Sequence, residues 1–72
     1  MTRRGSVLPT PDDPRITALL DIGPAWAALN RRAAWLTQLE AILREHYPQA
    51  RSRDLNVTAR SLAPFPLAEH DW

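Results

Sequence analysis

The segment between Gly23-Pro24 and Pro48 constrains this chain most. It holds no further proline or glycine, and it carries two of the three tryptophans. Ala, Leu, Arg, Gln and Glu dominate it, all strong helix formers. The composition predicts one long helix from about residue 24 to about residue 46. At 100° per residue, Ala25, Leu29, Ala33, Leu36, Leu43 and Tyr47 form a central stripe. Trp26 flanks it on one side, and Ala28, Trp35, Leu39 and Ile42 extend it on the other. The resulting apolar arc is roughly 200° wide, about twice that of an ordinary surface helix. Such an arc needs two covers. One is expected from the rest of the chain, the other from a partner along the Trp35–Leu39–Ile42 edge. A C-terminal tail folded back over that edge is the alternative.

Seventy-two residues allow one domain with a modest core. Domains of this size draw on disulfides, a metal or association for extra stability. Cysteine is absent, which removes disulfides and thiolate metal sites. His46 and His70 are far apart and lack a companion ligand cluster, so no metal and no cofactor is expected. Association is the support that remains, and a homo-oligomer is one form of it. No apolar run reaches the roughly 18–20 residues that span a bilayer, and the start lacks an apolar signal core. A cytoplasmic location is expected, without membrane contact. The net charge of +1 is too small to draw nucleic acid by bulk electrostatics. All nine basic residues are Arg, a side chain whose planar fork suits carboxylates, phosphates and aromatic faces.

Around the central helix the chain divides into three parts. Residues 1–11 read as a flexible arm, because Pro9 and Pro11 block regular structure and the small polar residues bury little. A domain is expected over residues 12–62. It opens with Asp13 as an N-cap and Pro14 at the first helical position. A two-turn helix follows with Ile16, Leu19 and Leu20 on one side and Ile22 at its edge, and Gly23 is expected to stop it in a left-handed conformation. Residues 48–53 read as a polar connector. Over residues 54–62, Leu55, Val57 and Ala59 alternate with Asn56, Thr58 and Arg60, which predicts a strand. A lone strand needs a neighbour, and Val7-Leu8 or a second molecule could supply one. Residues 63–72 read as an extended tail with Pro64 and Pro66, in which Phe65 and Trp72 could dock on a partner. The fold expected is a small, mainly helical α+β protein: short helix, long amphipathic helix, one C-terminal strand and extended termini.

Catalytic patterns are weak. Asp12, Asp13 and Asp21 invite a carboxylate-site reading, but Asp13 is explained as a cap and Asp21 as an exposed residue near a helix end. His46 falls near a helix C-terminus, where the dipole favours a cation. Glu69, His70 and Asp71 lack a preorganised geometry. Ser6, Ser52 and Ser61 have no pattern of base and orienting acid, and no glycine-rich phosphate loop exists. No enzymatic activity is expected. The leading expectation is a protein-binding module using Arg31, Trp35, Leu39, Ile42, Phe65 and Trp72. On that view Trp35→Ala weakens partner binding and spares helix content. The alternative is a nucleic-acid-binding accessory protein using Arg3, Arg4, Arg31, Arg32, Arg51, Arg53 and Arg60, with Trp35 stacking on bases. A small structural subunit of a larger assembly is a third reading.

The run RRAAWLTQLEAILREHYP carries a family resemblance. Arg31, Arg32, Ala33, Trp35, Leu36, Leu39, Leu43, Arg44 and Pro48 match a pattern similar to the N-terminal part of DciA-type bacterial replicative-helicase loaders. Leu55-Asn56-Val57 then falls where that family enters its first strand. The resemblance spans roughly residues 19–60. It implies a replicative helicase as partner, with a role in DNA replication. Family members continue into a second strand and a Ser-Pro-Ala-Trp…Leu-Arg segment that completes a KH-like fold, and they bind single-stranded DNA. This chain would correspond to half of that domain, acting as an adaptor or an inhibitor of the kind that phages encode.

Overall fold

The computed structural model describes residues 7–67. Three helices make up the fold: α1 over Pro14–Ala28, α2 over Arg32–His46 and α3 over Ser52–Leu62. Among the described residues there is no strand, so the expected α+β class is corrected to all-helical. None of the three helices is long and apolar enough to cross a membrane.

The start of α1 follows the sequence. Asp13 caps it in extended conformation, with Oδ1 accepting the Arg15 N–H at 2.9 Å, and Pro14 occupies the first turn. The expected stop at Gly23-Pro24 does not occur. α1 runs through both residues and ends at Ala28. Asn30 takes the left-handed conformation with φ 59°. Around it, the Arg31 N–H reaches the Trp26 carbonyl at 2.8 Å and the Asn30 N–H reaches Ala27 at 3.0 Å. This is the paired closure of a Schellman motif, with Asn in the place usually held by Gly. The predicted long helix is therefore two helices, and the break between them changes the register. Ala25, Leu29 and Ala33, assigned to the central stripe, are exposed. The buried set on α2 is Trp35, Leu36, Leu39, Ile42 and Leu43, an arc of only about 120° at the helical repeat.

The predicted strand over residues 54–62 is α3. Its buried residues are Leu55, Thr58 and Ala59, with Leu62 partly buried against the core. Their spacing is three, four and seven positions, the helical face period. Thr58 is the residue that disguises it. It reads as polar in an alternating pattern, yet it is fully buried and its Oγ1 accepts the Leu8 N–H at 2.8 Å.

α2 is the middle of the molecule, with its principal helix contacts to α1 and to α3. Both covers of its apolar face thus come from the chain itself. Arg44 fixes the α2–α3 turn, its guanidinium donating to the Pro48 and Ala50 carbonyls and to Ser52 Oγ. The N-terminal segment is tied down as well. Besides the Leu8–Thr58 bond, the Tyr47 hydroxyl donates to the Pro9 carbonyl. Residues 8–9 are thereby linked to α3 and to the end of α2.

Candidate functional site

Trp35 sits at the centre of the core with no exposed surface. Its indole N–H donates to the Leu19 carbonyl of α1 at 2.6 Å. The Phe65 ring meets it edge-on, with centroids 5.1 Å apart and planes at 76°, the arrangement favoured by the ring quadrupoles. A Cβ on Gly23 would lie 2.4 Å from Pro64 Cγ and 3.3 Å from Trp35 Nε1. Gly23 therefore serves close approach rather than a left-handed turn: it lets residues 63–65 lie across α1 and seal the indole. Leu39 is likewise fully buried and Ile42 nearly so. The edge assigned to a partner is covered by the chain's own elements. This is the folded-back arrangement that the sequence offers as the alternative. Phe65 belongs to that cover, and Trp72 lies outside the described residues.

A polar cluster ties the start of α1 to the end of α2. Asp13 Oδ2 lies 2.8 Å from both Arg15 Nη2 and His46 Nε2. Arg15 also bridges to both Glu45 oxygens, at 2.9 and 3.1 Å. The hydrogen bond from the Arg15 side chain, helped by His46 and by the Arg15 backbone N–H, holds the Asp13 carboxyl far below the usual carboxylate range. The same guanidinium lowers Glu45, and in return Asp13 and then Glu45 hold Arg15 still more firmly in its protonated form. The geometry is that of a tether between helix ends. Among the described residues no three His, Asp or Glu side chains form a group that could hold a metal.

The arginines are dispersed. Arg31 and Arg32 lie at the start of α2, and Arg51 and Arg53 beyond its other end, about 20 Å away at the helical rise. Arg60 is near the far end of α3 and shares a long contact with Asn56. With Arg53, Asn56, Val57, Phe65 and Leu67 it lines an open groove of about 680 Å³. Arg3 and Arg4 lie outside the described residues. Leu55-Asn56-Val57, matched to a first strand in the helicase-loader resemblance, lies within α3.

The open apolar surface is elsewhere, on the outward side of α1. Ala18, Ile22, Ala25 and Leu29 are all exposed. Ile22 at 41% and Leu29 at 68% are two of the three large hydrophobic residues exposed among those described. The spacing of four, three and four residues aligns them in a single narrow stripe. Between Ala18 and Leu29 the chain has one charged residue, Asp21. About 120° further round the helix, α1 buries Ile16, Leu19 and Gly23 in the core. The apolar part of α1 is therefore covered along one flank and, among the described residues, open along the other. The sequence does contain this stripe, because the four-three-four spacing is plain once Gly23-Pro24 is read through rather than as a break.

No family model matches the chain, and no curated protein or solved structure does so either.

Proposed function

We propose that this chain is a small protein-binding module that docks through the outward face of α1. One observation carries the reading: the exposed stripe Ala18–Ile22–Ala25–Leu29 on a helix whose other side is already buried. Contiguous apolar surface of this kind marks interaction sites. This reading keeps an apolar helix face as the binding surface and assigns it to α1, because the α2 edge is buried within the chain. The resemblance to helicase loaders adds a replicative helicase as one partner worth including in the test.

The experiment is a pull-down from the native host, read by mass spectrometry, with wild type beside an Ile22→Lys/Leu29→Lys double variant. Both substitutions are on exposed positions, and a cation near the C-terminal end of α1 suits the helix dipole. The reading expects partners that wild type retains and the variant loses while its far-UV circular dichroism is unchanged. An identical partner set for the two proteins overturns it.

A further inference from the structure

Resting on that docking face, the geometry points to a second copy of this chain as its occupant, with the two α1 helices packed antiparallel across a two-fold axis. The stripe follows the heptad rule, with Ile22 and Leu29 at a positions and Ala18 and Ala25 at d positions. In an antiparallel pair each a residue shares a layer with a d residue of the other helix. Placing the axis between residues 22 and 25 sets Ile22 of one copy against Ala25 of the other, and Leu29 against Ala18. Every large side chain then meets a small one, so the layers fill evenly and the backbones approach closely. A parallel pairing would stack Ile on Ile and Ala on Ala, alternating crowding with voids, both of which are unfavourable.

The near absence of charge along the stripe keeps the desolvation cost low, and a net charge of +1 leaves little repulsion between copies. An interface isologous in this sense is the commonest kind among homo-oligomers. About three turns of narrow exposed seam offer less than the roughly 800 Å² per partner of a standard interface. The dimer is therefore weak and concentration-dependent.

The chain has no cysteine, so engineered thiols report the orientation cleanly. Ala18→Cys and Leu29→Cys proteins are mixed in equal amounts and oxidised, and the disulfides are counted by mass spectrometry. The two positions are about 16 Å apart along one helix at 1.5 Å per residue. Only antiparallel packing brings position 18 of one molecule near position 29 of the other. The disulfide between the two different variants is expected well above the half that random collision gives. A statistical mixture, or an excess of like-with-like disulfides, overturns the proposal. Sedimentation equilibrium from about 10 µM to about 2 mM, a range that covers weak association, is expected to show a dimer fraction that rises for wild type. It is expected to vanish in Ile22→Lys/Leu29→Lys at unchanged helix content. A wild type that is monomeric throughout, or a dimer that survives the double variant, also overturns it. If self-association fails while the pull-down still loses partners in that variant, the second copy is overturned as occupant and the docking face stands for a different protein.

Discussion

The two sides of α1 have nearly the same composition and opposite fates. Inward, Ile16 and Leu19 join Trp35, Leu36 and Leu39 in the core, with Gly23 buried beside them. Outward, Ala18, Ile22, Ala25 and Leu29 form an equally apolar line that nothing among the described residues covers. Hydrophobicity alone does not separate them. What does is shape and one hydrogen bond. The inward side offers a flat spot at Gly23, into which Pro64 and the indole fit, and a carbonyl at Leu19 that the indole N–H can reach. A buried tryptophan needs a partner for its N–H, and that requirement selects which face of α1 meets α2.

The strongest way to break this contrast is at Trp35. Cutting a fully buried tryptophan to Ala costs about 3–5 kcal/mol, which is most of the stability a domain of this size has. Trp35→Ala is expected to lose helix signal by far-UV circular dichroism at 25 °C. Retention of a cooperative melt near the wild-type midpoint would show that the indole is not the keystone of the inward side. Gly23→Ala tests the same contact more gently. Alanine gains up to about 1 kcal/mol in helix propensity, but its Cβ meets a proline ring that has little freedom to move. Displacing residues 63–65 is expected to outweigh the gain, with a net loss of about 1–2 kcal/mol by urea titration and a red shift in tryptophan emission. A stabilised variant would mean that the Pro64 approach is loose.

How legible the fold is depends on the kind of signal each residue sends. The Asp13-Pro14 start and the α2 end before Pro48 are local chemistry, and both are readable. Gly23 misleads because a glycine followed by proline looks the same whether it ends a helix or makes room for a neighbour, and only packing distinguishes the two. Asn30, the real stop, is a weaker left-handed former than Gly and stands in a run of good helix formers. α3 reads as a strand because Val57, only partly buried, completes an alternating pattern, while Thr58 hides a buried position under a polar label. The partner-facing edge on α2 follows from these two misreadings. Without α3 in the expected fold, α2 has too much apolar surface, and the excess calls for another molecule.

The ends of the two helices differ from their faces in being held by charge, and acid separates the two contributions. Asp13 and Glu45 have folded-state pKa values below their unfolded ones. Between those values the unfolded chain binds more protons, so stability rises with pH there. The tether contributes fully above the ordinary carboxylate range, near pH 4–4.5, and is lost as pH falls through the depressed folded values. The melting temperature is expected to hold level from about pH 7 to about pH 5 and then to fall. Arg15→Gln removes the main cause of both shifts. It should lower the plateau and flatten the acid limb. An acid limb of unchanged steepness in that variant would place the acid sensitivity elsewhere.

The smallest expected effect bears most directly on the outward face. Leu29 is 68% exposed and lies at the end of α1, just before the left-handed Asn30. Leu29→Lys gives up little burial in the monomer and places a cation where the last carbonyls of the helix favour one. Surface substitutions of this kind stay within about ±0.5 kcal/mol. The urea midpoint, measured at about 5 µM to keep the chain below the range of weak association, is therefore expected to match wild type. The same comparison at millimolar concentration is expected to separate the two proteins, because only wild type gains the linkage stabilisation that association confers on a folded state. A loss of more than about 1 kcal/mol at the low concentration, twice the usual surface limit, would show that Leu29 packs within the monomer. The outward side of α1 would then be part of the core, and the contrast between its two faces would disappear.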